Sequence, residues 1–266
     1  METPAIPNVT FVVAVNQRDI FESNFLSSPC LRQMADPQIW IQEGFDSASK
    51  AYNDALRRSR NDLLIFVHQD VILPETWLSD LARALEHLRS EDPDWGVLGC
   101  YGEAPLNGGC GYVYSSGLGI VGSPFDRPTP VQTLDEIVLI LRRSSGLRFD
   151  DKLPHFHFYG SDICLRAAKM GLTCYAIPAF CIHNTHQPLI LPKEFYECCH
   201  YIRRVWKDYL PIQTSCIRIT RYNLPVYARR LREGYLRYVR RKEFGGMRVS
   251  DPQQLVDEIA AIAHRP

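Results

Sequence analysis

Three clusters of side chains in this sequence have types and spacings suited to chemistry. The first is Val67-His68-Gln69-Asp70-Val71, where a carboxylate closely follows the apolar run 63–67 (LLIFV). Ligands of open α/β sheets bind at the carboxyl ends of strands, so Asp70 is aimed at such a site; a bare acid there would equally serve as a turn cap. The second cluster is Phe149-Asp150-Asp151-Lys152-Leu153 followed by Tyr159-Gly160-Ser161-Asp162-Ile163-Cys164-Leu165-Arg166. Ser161 reads as a helix N-cap and Asp162 as a first-turn acid, where the helix dipole stabilises an ionised carboxylate. The third cluster, Cys181-Ile182-His183-Asn184-Thr185-His186, ends a strand with two histidines three apart. They could reach one metal, or each could pack as an ordinary core histidine.

Periodicity gives the elements that must position these residues. Apolar runs at 9–15 (VTFVVAV), 38–42 (QIWIQ), 63–67 and 96–100 predict strands, as do 137–141 and short stretches around 174–177 and 180–182. Helical patterns lie between them: 47–60, capped by Ser47, then a segment behind Pro74 striped by Trp77, Leu78, Leu81, Leu85 and Leu88, then one opening at Ser161 and closing at Gly171. Strands alternating with helices predict an α/β fold with a mostly parallel sheet flanked by helices. Residues 102–130, rich in Gly, Pro and Ser, read as loops around one strand at 112–115. Beyond 190 the pattern is helical, at 193–208, 225–241 and a last helix capped by Asp251 with Pro252 at its first position. The expected organisation is a domain over 1–190 with a helical C-terminal extension over 191–266.

The 266 residues carry 30 Lys plus Arg against 30 Asp plus Glu, and zero net charge argues against a dedicated nucleic-acid binder. No run approaches the ~18 apolar residues of a membrane span, and the first residues lack the features of a signal peptide, so the expected location is cytoplasmic. Nine cysteines in an odd, irregular set without any Cys-x-x-Cys read as reduced, mostly buried thiols.

The order of the clusters resembles the GT-A type, Rossmann-like nucleotide-sugar glycosyltransferases, in particular their inverting family 2, over roughly residues 8–190. The pieces that match are Ala51-Tyr52-Asn53-Asp54-Ala55-Leu56, the strand into His68-Gln69-Asp70, the stretch from Phe149 to Arg166 and the strand leading to His183. The His-Gln-Asp form looks like a bacterial subgroup. The resemblance implies Asp70 and His183 as ligands of Mn²⁺ or Mg²⁺ and Asp162 as the general base that deprotonates an acceptor hydroxyl. It places the nucleotide, a uridine diphosphate by preference, near Ala14, Val15, Asn16, Asn53, His68 and Gln69, with Glu43 or Asp46 as the acid after the second strand. Asp135, Ser161 and Arg166 fall on the sugar and acceptor side. Two departures stand out: the family's Asp-x-Asp is His68-Gln69-Asp70 here, and its Glu-Asp is Ser161-Asp162. No Gln-x-x-Arg-Trp motif of processive synthases occurs, so transfer of a single sugar is expected.

Residues 203–248 hold eleven Arg and two Lys against Asp208, Glu233 and Glu243, a net +10 that leaves −10 for the rest of a neutral chain. Within them Tyr227, Leu231, Tyr235 and Tyr238 share a helical face amid arginines. Such a helix suits an anionic membrane surface or a lipid-linked acceptor, or serves as a solvated face. Two rivals differ in class: a non-catalytic GT-A-like module that binds nucleotide sugar or glycan, and a nucleotidyltransferase. The second would need a glycine-rich phosphate loop that Asn16-Gln17-Arg18-Asp19 does not provide.

Overall fold

Apolar strand runs need cover on both faces, and the computed structural model, which describes residues 8–105 and 108–263, provides it. The chain opens with β1 (Val9–Ala14), the short α1 (Arg18–Ser23), β2 (Gln38–Gln42) and α2 (Ala48–Arg58), whose N-cap Ser47 accepts from the Lys50 N–H. There follow β3 (Leu63–His68), β4 (Val71–Ile72), α3 (Trp77–Glu91) and β5 (Val97–Gly99). Then come β6 (Tyr101–Ala104), β7 (Gly108–Ser115), β8 (Gly119–Gly122), β9 (Thr129–Val131), β10 (Thr133–Leu134) and β11 (Val138–Arg142). After α4 (Tyr159–Lys169) the chain makes β12 (Cys174–Ala176), β13 (Cys181–His183), β14 (Gln187–Pro188) and α5 (Lys193–Val205). It ends with α6 (Leu224–Tyr235), β15 (Phe244–Gly246) and α7 (Pro252–Ala263).

The main sheet has the order β2-β1-β3-β11-β5-β12-β9. Five of its strands share one direction, while β11 and β9 run against them. The mixed, mostly parallel α/β fold expected from the sequence is the observed one. Alternate residues serve opposite faces: Val12, Leu64 and Phe66 pack with α2, α4 and α5, whereas Phe11, Val13, Ile65 and Val67 pack with α1 and α3. Each such side chain, fully buried, contributes roughly 1.5–3 kcal/mol. Phe195, Cys198 and Ile202 of α5 sit in the same cluster as Tyr52 and Ile163, so this part of the C-terminal segment belongs to the main core. All nine cysteines are unpaired.

The stretch expected as loops proves to be a second sheet, ordered β10-β6-β7-β13-β4 with β8 on β7. Its glycines are the reason the sequence hid it. A Cβ on Gly102 would lie 2.5 Å from the Thr133 carbonyl oxygen, and one on Gly111 2.5 Å from that of Cys100, so these strands approach too closely for side chains. Composition that reads as loop is here a packing requirement. The start of α4 also differs from expectation. Its N-cap is Phe158, not Ser161, held at φ 63° in the left-handed region without a side-chain cap. Burial of Phe158 against Phe195, ring centroids 4.7 Å apart, offsets a backbone cost of roughly 1–2 kcal/mol.

Gly102→Ala is therefore expected to destabilise the chain by about 1–3 kcal/mol, read as a lowered midpoint in denaturant unfolding. An unchanged midpoint would contradict the close approach of β6 and β10.

Candidate functional site

Parallel pairing of β1 with β3 sets Ala14 beside His68, so both strands deliver their ends to one edge of the sheet. A cavity of about 550 Å³ opens there, lined by Ala14, Val15, Asn16, Gln42, Phe45, Tyr52, His68, Gln69, Asp70 and Tyr159 among others. Gln69 closes its rim: its Oε1 accepts from the Asn16 and Gln17 N–H groups at 3.0 and 3.1 Å, and its Nε2 donates to Asn16 Oδ1. A second cavity of about 400 Å³ meets the first at His68 and is lined by Asp135, Glu136, His157, Ser161, His183 and Arg229, with apolar walls from Val113, Leu118 and Leu191.

At the junction, His68, Asp70 and His183 offer one ligand atom each, all within 4.8 Å of one another. The turn into β4 and its antiparallel pairing with β13 set Val71 beside His183, which carries the expected pair Asp70 and His183 together. His68, expected among the nucleotide residues, joins them as a third donor. The His183 Nε2 is 3.3 Å from Asp70 Oδ1, and Arg248 Nη2 donates to Asp70 Oδ2 at 3.0 Å. Burial alone would raise the Asp70 carboxyl, but the charge and hydrogen bond of His183, with Arg248 behind it, outweigh it and hold the group well below the usual carboxylate range. Burial and His183 lower His68, which favours the neutral imidazole that a cation requires. Its Nε2 lies 2.8 Å from the Tyr159 hydroxyl, a bond that fixes the ring. A carboxylate with two imidazoles fits Mn²⁺ better than Mg²⁺, which prefers oxygen throughout.

Other expected residues stand elsewhere. Glu43 faces outward and pairs with Arg18 through two bonds of 2.9 and 2.8 Å, while Asp46 pairs with Lys50 on the surface. Asn53 is buried away from the cavity, accepting from the Phe149 N–H and donating to the Phe149 carbonyl and to Asp151. It ties α2 to the chain before α4. The largest correction concerns Asp162. The residue is 0% exposed, its Oδ1 accepts from the Trp206 indole at 2.7 Å and its Oδ2 from Arg166 Nε at 2.7 Å. Arg166 also pairs with Asp150 at 2.5 Å, which in turn accepts from Tyr201. With both oxygens engaged and no exposed surface, Asp162 braces α4 with Arg166 as its partner, and neither residue lines the two cavities. Asp135 does line the second cavity, its Oδ1 accepting from the Ile137 N–H and its Oδ2 from Ser215. Ser161 lines it too, from inside the first turn of α4.

Arg248, Tyr159 and Glu136 belong to the site without having been expected there. Arg248 reaches it because Asn184, fully buried, bonds the Val249 N–H and carbonyl at 2.8 and 2.9 Å and Asn24 at 2.8 Å. No local motif announces such a long-range contact. Glu136 stands beside Asp135 in the sequence, so adjacency was the one available signal.

A model of the "Glycosyltransferase like family" matches residues 10–189. The chain is 33% identical over 165 residues to "ATP synthase subunits region ORF 6" of Fuscovulum blasticum, covering 60% of this chain and 66% of that protein. It thus spans just under two thirds of that relative's length. Among solved structures it is similar to the mannosyltransferase PcManGT from Pyrobaculum calidifontis in complex with GDP-Man and Mn²⁺, with a TM-score of 0.47 and 15% identity over 98% of this chain and 77% of that one. It is similar also to S. aureus TarS 1-349, with a TM-score of 0.45 and 15% identity over 74% and 64% of the two chains.

Asn53→Ala would leave the Phe149 N–H and carbonyl without their partner, at about 1–3 kcal/mol for each buried group. The expected result is a clear drop in melting temperature with unchanged affinity for any ligand of the first cavity. Lost affinity at full stability would return Asn53 to the ligand site.

Proposed function

The chain belongs to the glycosyltransferase-like family, and from that premise we propose that it transfers a single sugar, with inversion, from a nucleoside diphosphate sugar to a hydroxyl acceptor. A uridine diphosphate sugar is the preferred donor and a glycan or lipid-linked molecule the acceptor. The observation that carries this reading is the meeting of two cavities at the His68, Asp70 and His183 cluster. A donor whose diphosphate lies at that junction has its nucleoside in the first cavity and its sugar turned toward the second. Gln69 and the end of β1 border the nucleoside, and Phe45 offers it an apolar wall.

Asp70, His183 and His68 would hold Mn²⁺, which when bound offsets the negative charge developing on the departing diphosphate. Arg248, already against Asp70, adds a fixed positive charge on the same side. The proposed division of labour is donor binding by residues up to about 190 and acceptor or membrane contact by the segment beyond.

Among the described residues no helix is long and apolar enough to cross a membrane. Contact with the cytoplasmic membrane face is proposed instead through α6. Leu224, Tyr227, Leu231 and Tyr238 are 60–78% exposed along one side of it and the turn that follows, amid arginines. An apolar stripe of this size facing water, rimmed by cations, suits an anionic lipid surface.

Calorimetry of the chain with UDP and GDP in Mn²⁺ tests the donor reading. Tighter binding of UDP is expected, with at least a tenfold loss in Asp70→Ala; equal affinity in that variant would overturn the ligand assignment. In sedimentation with vesicles, binding to phosphatidylglycerol should exceed binding to phosphatidylcholine and weaken roughly fivefold for each of Arg237→Gln and Arg241→Gln, at about 1 kcal/mol per charge. Indifference to the lipid's charge would remove the membrane contact.

A further inference from the structure

We propose that Glu136, on the wall of the second cavity, is the general base that takes the proton from the acceptor hydroxyl. The assignment rests on the glycosyl-transfer reading above and names a group that this reading requires. A single displacement needs a base that touches the attacking hydroxyl from the side opposite the leaving group. Asp162 is excluded by its two buried donors.

Three carboxylates line the two cavities: Asp70, Asp135 and Glu136. Asp70 is committed to His183 and Arg248, and Asp135 has one oxygen on the Ile137 N–H and the other on Ser215. The side chain of Glu136 accepts from the Gly160 N–H at 3.3 Å, with the backbone N–H groups of Phe158 and of Glu136 itself also turned toward it, and no side chain or cation pairs with it among the described residues. It therefore has acceptor capacity left for a substrate proton.

The helix beneath it is shaped to receive it. A Cβ on residue 160 would stand 2.7 Å from the Leu134 carbonyl oxygen and 3.2 Å from Glu136 Cγ, so glycine at this position lets the Glu136 side chain lie over the first turn of α4. Backbone N–H groups there stabilise the anion. Burial works in the other direction. Around Glu136 stand the acid Asp135 and the neutral Tyr52, Tyr159, Cys164, Cys198 and Cys216, with His157 lowered by its own burial. Across the cavity are His68, His183 and Arg229. Burial first, then Asp135, push the Glu136 carboxyl up to about 8, which makes it a stronger base than an ordinary carboxylate.

In the step itself the acceptor oxygen forms its bond to the anomeric carbon as the bond from that carbon to the diphosphate oxygen breaks. The electron pair leaves on the diphosphate, and the hydroxyl proton passes to Glu136.

Hydrolysis of a panel of UDP and GDP sugars with Mn²⁺, followed by proton NMR with water as acceptor, tests the assignment. E136Q is expected to lose at least 100-fold in rate while binding UDP with Mn²⁺ within threefold of wild type. The wild-type rate should rise with pH toward about 8 as Glu136 deprotonates, and that rise should be absent in E136Q. E136D, which keeps the charge one methylene further back, should keep the rise at a reduced rate, and circular dichroism confirms that each variant folds. A rate in E136Q within threefold of wild type overturns the base assignment alone. Failure of the wild-type chain to bind either nucleotide, or binding without hydrolysis of any donor, would instead overturn the transfer reading beneath it.

Discussion

A buried carboxylate, that of Asp162, fixes the geometry on which the site depends. Stranding one charge at zero exposure is tolerable only because the Trp206 indole and the Arg166 guanidinium saturate it, and Arg166 is itself balanced by Asp150. Removing one partner from such a pair typically costs 3–5 kcal/mol, so the network holds α4 in one position against α5 and the 150s segment. Everything at the first turn of α4 inherits that position. Tyr159 reaches His68 from it, Gly160 meets Glu136, and Ser161 enters the second cavity. The acid most visible in the motif thus acts one step behind the site.

The junction of the cavities is built by opposite means. Asp70, His68 and His183 come from two strands of different sheets and the turn after one of them, and Arg248 from nearly the end of the chain. Asn184, directly after β13, is what makes this distant contact regular, because it bonds Ser116 just after β7, Asn24 just after α1 and the segment around Val249 together. Leu255 and Ile259 of α7 then seal that segment by packing on Ile72 and Ile182. A cation bound between this carboxylate and the two imidazoles takes the place of the proton that Asp70 favours on His183, and Arg248 beside them offers phosphate oxygens a positive charge at the same place.

What the sequence made legible was local. Strand and helix existence followed from periodicity in β1, β2, β3, α2 and α3, and Asp70 and His183 stood out because each closely follows a strand; the structure sets the two side by side. Residues 102–130 were misread because glycine is ambiguous: it marks a turn by its freedom and a tight strand pairing by its size, and only the Thr133 and Cys100 carbonyls opposite decide between them. Asn53 and Asp162 were misread for a related reason. A polar residue in a motif can face a ligand or saturate the backbone behind it, and one-dimensional spacing does not distinguish the two sides of a helix turn. Arg248 was legible only as a charge.

The neutral sum of the chain conceals how its charges are placed. Part of the +10 over 203–248 is consumed inside the fold: Arg229 pairs with the buried Glu233, Arg230 stacks on the Tyr196 ring at 4.9 Å, and Arg248 faces Asp70. Of what remains, Arg203, Arg204, Lys207, Arg218 and Arg221 lie on α5 and the stretch before α6, while Arg232, Arg237, Arg240, Arg241 and Lys242 lie on α6 and the residues just after it, around the exposed Tyr227, Leu231 and Tyr238. The same helix borders the second cavity through Arg229, so the cationic apolar face and the cavity holding Glu136 are neighbours on one element. If α6 rests on an anionic surface, an acceptor anchored there enters the second cavity without leaving that surface. Under the same proposal a water-borne nucleotide sugar would reach the first cavity from the ends of β1 and β3. That separation of approaches follows from the placement of one basic helix beside the second cavity and not the first.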